Sequence, residues 1–324
     1  MALVTVIIPN YNGDAYIENC LRSLKEQTFR DFEILIVDNA SEDGSADFIE
    51  KNYPDITLVR LQQNFGFSRA VNEGIRRTKS KYLILLNNDT VCDKDFIGEL
   101  TAAIEQDEKI FSVASKMLQM YAPDKIDGAG DLYCALGWAF AKGKDRSKKH
   151  YEKPCRVFSA CAGAAIYRGD VLRKLGGLDP AYFAYLEDVD LGWRAKRAGW
   201  KNYYVPSANV LHAGSAASGS RVNAFKVDHS SRNNVYLLRK NMPLLYRTLF
   251  SPLLFAGFLA KILYFTAKGF GREYVKGLFA GLRMPLPPAA EGDFRENDRK
   301  IAREILANTP VCLLGFLHTL GAPQ

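Results

Sequence analysis

Three short apolar runs, each closed by polar residues, restrict this chain more than any other feature. They read LVTVIIP (3–9), FEILIVD (32–38) and YLILLN (82–87). Runs of this length without alternation suit strands buried on both faces. The segment after the first run, 15–29, carries Ile17, Cys20, Leu21 and Leu24 on one helical face. A further strand, ITLVR (56–60), and a helix pattern from Gly66 to Arg77 precede the third run. Strands alternating with amphipathic helices predict an α/β fold with a parallel sheet. Ligands bind such sheets beyond the carboxyl ends of the strands. Pro9, Asp38 and the triplet Asn87, Asn88, Asp89 stand at those ends and are expected to converge on one crevice.

The second half is less periodic. Residues 117–154 are expected to be irregular, and their basic run KGKDRSKKH (142–150) reads as a solvated loop, with an acceptor-facing loop as the alternative. VFSACAGAAIYR (157–168) reads as a strand whose Gly163, Ala164 and Ala165 admit a close backbone or ligand. A Gly176-Gly177 turn leads to a helix from about Glu187 to Gly199, with Val189, Leu191 and Trp193 facing inward. Glu187, Asp188 and Asp190 occupy its first turn, where acids complement the helix dipole. YYVP follows, then an expected loop, SANVLHAGSAASGS (207–220).

With 324 residues, 48% of them hydrophobic and 12% aromatic, the chain can bury a core and is not disordered. Its net charge of +7 is uneven: from Arg232 to Arg283 there are nine Lys or Arg against one acid, Glu273. The greasiest stretch, LFSPLLFAGFLAKILYF (249–265), is interrupted by Pro252 and Lys261 and is marginal as a membrane span. It suits a basic amphipathic helix lying at a membrane surface. Charges interleaved with long apolar side chains argue against nucleic acid as the partner. The six cysteines include no C-x-x-C pair, which fits a reducing compartment. Met1 leads into the first strand without a basic n-region, so no signal peptide is expected.

Several residues are candidates for chemistry. Asp38 closes a strand before NASEDGS, as an Asx-turn or helix cap, or as a carboxylate accepting a hydrogen bond from a nucleobase. Gly66 precedes a helix start with Ser68, Arg69 and Asn72 nearby, and exposed N–H groups there favour phosphate. The stretch is neither G-x-G-x-x-G nor a P-loop, which weakens dehydrogenase and NTPase readings. Asp89 is a hard oxygen donor of the kind that holds Mg²⁺ with few protein ligands, or a turn residue. His212 reads alone as a structural histidine or a ligand.

The ordered segments VTVIIPNYNG, ILIVDNASEDGS, NFGFSRAVNEGI, YLILLNNDT, ACAGAAIYR, GGLDPAYFAYLEDVDLGWR and VLHAGSAASGS resemble those of the inverting family 2 glycosyltransferases. Within that family the chain is most similar to bacterial rhamnosyltransferases and the related galactofuranosyltransferases. The resemblance covers roughly residues 3 to 225. It implies a GT-A type fold, with a nucleotide-sugar-binding half (1–115) and an acceptor half (116–225) in one sheet, followed by a basic amphipathic helical region (226–324). By the same resemblance Pro9, Tyr11, Asn12, Asn64, Gly66, Arg69 and Asn88 border the nucleotide and diphosphate, and Asp38 reads the base. Asp89 and His212 then hold Mg²⁺ or Mn²⁺. Asp188 is the general base that takes the acceptor hydroxyl's proton, and Glu187 positions sugar hydroxyls.

Two departures bear on these expectations. The DXD position reads Asn87, Asn88, Asp89, so one carboxylate stands where many relatives have two, and substrate phosphates are expected to supply much of the metal coordination. No Q-x-x-R-W motif is present, so addition of one or a few sugars is expected rather than processive synthesis. The implied activity is metal-dependent transfer of a sugar, L-rhamnose from dTDP-rhamnose first, to a cell-surface glycan or lipid-linked acceptor. UDP-galactofuranose and a UDP-hexosamine are the alternative donors. The implied location is cytoplasmic, peripheral at the inner face of the membrane. A non-catalytic sugar-nucleotide-binding or scaffold protein on the same fold is the reading from another class.

Overall fold

The computed structural model describes residues 2–214, 222–288 and 291–321. The predicted strand and helix alternation forms its first half: β1 (Val4–Asn10), α1 (Asp14–Lys25), β2 (Phe32–Asp38), α2 (Ser45–Asn52), β3 (Thr57–Arg60), α3 (Phe67–Arg77) and β4 (Tyr82–Leu86). The four strands are parallel in the order β4-β1-β2-β3, with β1 and β4 wholly or almost wholly buried. Burial on both faces explains why these runs are apolar without alternation. In register, Asn10 lies beside Asp38, so the polar ends of β1 and β2 share one sheet edge.

The sheet then continues through β5 (Thr90–Cys92), α4 (Phe96–Glu105), β6 (Ile110–Gln119), β7 (Ala122–Gly128), β8 (Asp131–Tyr133), β9 (Ala139–Ala141), β10 (Cys155–Val157), β11 (Ala164–Arg168), α5 (Gly169–Lys174), α6 (Glu187–Arg197) and β12 (Lys201–His212). Its path is β10-β12-β6-β11-β4-β1-β2-β3, with β5 on β12 and β7 on β6. Along that path only β10 and β11 oppose the common direction, so the central sheet is mostly parallel. β8 and β9 form a separate hairpin.

Three boundaries differ from the expectation. Residues 117–154 are not an irregular loop: the end of β6, β7 and the β8–β9 hairpin lie there, and Ile126, Tyr133, Cys134 and Trp138 are buried. Strands of three residues are too short to show a period, and their burial comes from packing against distant elements. The expected strand 157–168 is split between β10 and β11. In between, the Ser159 carbonyl accepts from Asp131 N and the Phe158 N–H donates to the Asp131 carbonyl, so these peptide groups serve the hairpin rather than the sheet. β12 runs on to His212 through the expected loop. A register shift between Tyr204 and Asn209 absorbs Pro206, after which Asn209–His212 pair with Lys116–Gln119. Residues 215–220 of that expected loop lie outside the described residues.

The remaining helices are α7 (Ala224–Asn241), α8 (Leu244–Leu249), α9 (Ser251–Ala267), α10 (Gly271–Arg283) and α11 (Arg295–Gly321). Tyr236, Leu237 and Leu238 of α7 and Ile301, Ala302 and Ile305 of α11 join one apolar cluster with Tyr133, Phe158, Tyr182, Val189 and Trp193. Each such large buried side chain contributes about 1.5–3 kcal/mol, so α7 and α11 are bound to β8 and α6 through a shared core. Among the described residues, fifteen of the eighteen large exposed hydrophobic side chains lie between Leu244 and Leu317, which leaves the outer faces of these helices apolar. Among the described residues, no helix is long and apolar enough to cross a membrane.

Candidate active site

The strand ends converge through a chain of carboxamides. Asn88 Nδ2 donates to Asn10 Oδ1 (2.8 Å), and Asn10 Nδ2 donates to Asp38 Oδ1 (2.8 Å). Asp38 Oδ1 also accepts from Ser41 Oγ (2.6 Å) and Oδ2 from Ser41 N (3.1 Å). Asp38 therefore makes the Asx-type turn, yet among the described residues Oδ2 accepts only this one bond and can take another from a ligand N–H. Pro9 lies on β1 beside Val37. Tyr11 is at the surface, and Asn12, at φ 50°, accepts from Glu42 N through Oδ1 (3.0 Å). The loop after β1 is thus tied to the loop after β2.

Asp89, 6% exposed, follows β4 at the same edge. β12 brings His212 to it across the β5 pairing, and His212 Nε2 lies 3.2 Å from Asp89 Oδ1. On the other side of the ring Nδ1 is 2.8 Å from Asp127 Oδ2, and Asp127 in turn pairs with Lys144. Asn87 Nδ2 is 3.3 Å from Nε2. Burial opposes a charge on His212, but the flanking Asp127 and Asp89 outweigh it and lift the imidazole to about 9. Burial likewise works against the Asp127 carboxylate, which His212 and Lys144 nonetheless hold down at about 2. A carboxylate that fixes one ring nitrogen aims the other at a ligand, the arrangement of a metal-binding histidine and its outer partner. Among the described residues no group of three or more His, Cys, Asp or Glu forms a closed metal site. Asp89 Oδ1 and His212 Nε2 are two donors of the kind that would suit a hard divalent cation taking few protein ligands.

The third group is a set of buried acids. Asp188 lies on the first turn of α6, where its Oδ2 accepts from Ala162 N (3.2 Å) and its Oδ1 from Val189 N (2.8 Å). Glu187 is 6% exposed, and its Oε2 has no hydrogen-bond partner among the described residues. Asp131 is buried as well and accepts from Ser159 Oγ at Oδ2 (3.2 Å). Burial first, and the charge of Asp188 second, push Asp131 and Glu187 well above the usual carboxylate range. Asp188 is also raised by burial, but backbone N–H donors at Ala162 and Val189 restrain the shift. The environments separate the three acids: burial raises all of them, and Asp188 is the one whose carboxylate accepts two backbone N–H bonds that oppose the rise.

Other predicted residues have structural partners. Asn64 Oδ1 accepts from Asn39 Nδ2 (2.8 Å) and Gly66 N (2.9 Å), bracing the turn before α3. Gly66 sits at φ 83°, and a Cβ there would lie 2.5 Å from Phe183 Cδ2, so its missing side chain admits the 183 segment. Arg69 lines an open groove of about 730 Å³ with Phe65, Arg76, Arg173 and Pro180, on a wall that includes none of Asp38, Asp89, Asp188 or His212. Asn72 pins the Gly177 turn, donating to Leu178 O (2.6 Å) and accepting from Leu178 N (2.9 Å). Trp193 is core, as expected, at 1% exposure. Asp127 and Asp131 were not singled out from the sequence. Their only signal is KIDGAGD, two acids flanking three small residues inside a stretch read as loop.

A family model described as Glycosyl transferase family 2 matches residues 5–176, more than half of the chain. An N-acetylglucosaminyl-diphospho-decaprenol L-rhamnosyltransferase of Mycobacterium tuberculosis is 26% identical over 260 residues, covering 72% of this chain and 84% of that protein. Among solved structures, a Pyrobaculum calidifontis mannosyltransferase in complex with GDP-Man and Mn²⁺ superposes with a TM-score of 0.56 at 15% identity, covering 87% of each chain. GalNAc-T7 with UDP, GalNAc and Mn²⁺ gives a TM-score of 0.58 at 17% identity over 74% of this chain and 48% of that one. These likenesses identify the sheet as the GT-A fold. The family match, which runs from β1 through β11, makes the chain a member of glycosyl transferase family 2 and its protein a glycosyltransferase.

Proposed function

We propose that this glycosyltransferase is inverting and metal-dependent, and that it moves L-rhamnose from dTDP-rhamnose to a lipid-linked or cell-surface glycan. The observation that carries the reading is the pairing of Asp89 and His212, backed by Asp127, at the strand edge that also carries Asp38. Its rhamnosyl and lipid-linked specifics rest on the mycobacterial relative, whose name states both. Asp89 and His212 would hold Mg²⁺ or Mn²⁺, which when bound offsets the charge that develops on the departing nucleoside diphosphate. Asp38, Asn88, Asn64, Gly66, Arg69, Pro9, Tyr11 and Asn12 would bind the nucleotide and diphosphate. Asp188 accepts the acceptor hydroxyl's proton as the new bond forms, and Glu187 orients hydroxyls through its free Oε2.

Residues 1–225 carry the transferase, and 226–324 dock it at the inner face of the cytoplasmic membrane. The support is the apolar outer face of α8, α9 and α11, where Leu244, Leu249 and Phe255 are exposed, together with Arg247 on α8 and Lys268 at the end of α9. UDP-sugars are the second donor class, since solved neighbours were captured with UDP and UDP-GlcNAc.

The test is sugar transfer by the purified protein from dTDP-rhamnose, UDP-galactofuranose and UDP-GlcNAc to an N-acetylglucosaminyl-diphospho-lipid, with Mn²⁺, with Mg²⁺ and with chelator. The expected result is rhamnosyl transfer that needs the metal and is lost in Asp188→Ala. Transfer in chelator, or an Asp188→Ala variant as active as wild type, overturns the corresponding part of the reading.

A further inference from the structure

The segment leading into α6 has an unusual backbone. Phe183, Tyr185 and Leu186 have φ of 63°, 75° and 70°, and none is glycine. Side chains of this size avoid positive φ, and such a conformation persists only where neighbours over-determine it. Leu186 is directly followed by Glu187 and Asp188, so the path of this segment decides where both acids start.

One buried amide holds the segment. Asn233, 0% exposed on α7, points its Nδ2 at three backbone oxygens: Tyr182 O (3.0 Å), Ala184 O (2.8 Å) and Tyr185 O (2.8 Å). The neighbouring Arg232 adds a bond to Tyr182 O (2.9 Å) and donates through Nε to Asn233 Oδ1 (3.0 Å), which fixes the orientation of the amide. On the opposite side, Ser68 N at the start of α3 donates to Phe183 O (3.3 Å). Further along α7, Asn241 Nδ2 donates to Asp190 Oδ1 (2.7 Å) on α6. One helix of the C-terminal region therefore grips both the left-handed segment and the helix that it feeds. An amide suits this place because its two N–H groups can be shared among the three carbonyl oxygens; a carboxylate would face them with like partial charge.

We propose that Asn233 is a positioning residue for sugar transfer, holding residues 183–186 in their left-handed path and thereby aiming Glu187 and Asp188. This rests on the assignment of Asp188 as general base. It makes α7 part of the catalytic apparatus although it begins the basic C-terminal region.

The test compares wild type, Asn233→Asp and Tyr236→Phe by amide hydrogen exchange over residues 183–189 and by steady-state transfer. Asn233→Asp keeps the side-chain shape and removes the donor. Tyr236→Phe removes a different α7 bond, from Tyr236 Oη to Asp179 Oδ2 (2.9 Å), and controls for general loosening of the helix. The expected result is faster exchange over 183–189 in Asn233→Asp alone. Its kcat should fall roughly 10- to 100-fold, with the donor KM within about threefold, as for a catalytic group displaced by about an ångström. Equal exchange in Asn233→Asp and wild type overturns the proposal, as does an equal loss of kcat in both variants. If the wild type transfers no sugar, the assignment of Asp188 falls, and the exchange comparison still decides whether Asn233 holds the segment.

Discussion

Replacing Gly66 by alanine tests how the two halves of the sheet are joined at the site. Gly66 has φ 83° and ψ 167°, a region that L side chains essentially never occupy, at a cost of about 1–3 kcal/mol. The added Cβ would also stand 2.5 Å from Phe183 Cδ2 and 2.6 Å from Phe183 O. A ring can rotate, but a backbone oxygen moves only with its segment, so overpacking adds about 1–3 kcal/mol. Gly44 supplies the control, since its φ is 85° and a Cβ there meets nothing within 4 Å. Gly44→Ala carries only the left-handed cost, about 1–2 kcal/mol. At about 2 °C per kcal/mol for a chain of this size, Gly44→Ala should lower Tm by about 2–4 °C and Gly66→Ala by about 4–12 °C. If the 183–186 segment instead retreats to make room, Gly66→Ala keeps more of its Tm and loses transfer activity, because that segment leads into Glu187 and Asp188. Thermal unfolding followed by circular dichroism, with kcat on the same samples, separates these cases. A Gly66→Ala protein matching Gly44→Ala in both Tm and kcat would refute the contact and the argument built on it.

Three further outcomes are expected. Asp127→Ala frees the His212 ring and should weaken apparent Mn²⁺ affinity about 10- to 100-fold in a metal titration of transfer; an unchanged midpoint sinks the role given to Asp127. Asp131 is held above the ordinary carboxylate value of about 3.9, first by burial and then by Asp188, so folding takes up a proton. Stability that is intact below the unfolded value is lost as pH rises through the folded one. Asp131→Asn should therefore gain in urea midpoint relative to wild type as pH rises above about 4, and parallel pH profiles for the two proteins count against the assignment. Changing exposed Leu244, Leu245 and Phe255 together to serine should cut flotation with anionic vesicles at least about tenfold, since each buried apolar side chain contributes about 1.5–3 kcal/mol. Transfer to a soluble acceptor should stay intact, and undiminished flotation would move the docking surface elsewhere.

The sequence alone determined the parallel half of the fold. The runs 3–9 and 82–87 are buried on both faces almost throughout, and 32–38 from Leu35 onward, so apolarity along the chain and strand position coincide, and their closing residues do meet at one edge through Asn10, Asp38 and Asn88. The helix from Glu187 and the inward Val189, Leu191 and Trp193 were legible for the same local reason, a 3.6-residue period. The ordered motifs also carried the family. Only the tertiary structure decided the second half. Residues 117–154 form short strands and a hairpin whose burial depends on elements far along the chain, so no local pattern announces them. Asp127 lies 85 residues before His212, and Asn233 lies nearly 50 after the carbonyls that it holds; neither pairing leaves a periodic trace in one chain. The strain at Phe183, Tyr185 and Leu186 is equally silent, because ordinary residues there are forced into a rare backbone by long-range hydrogen bonds rather than by their own preference. Composition and local spacing record what each segment prefers by itself. The outer carboxylates and the amide that orient the site exist only where the folded sheet and α7 bring distant segments within hydrogen-bond reach.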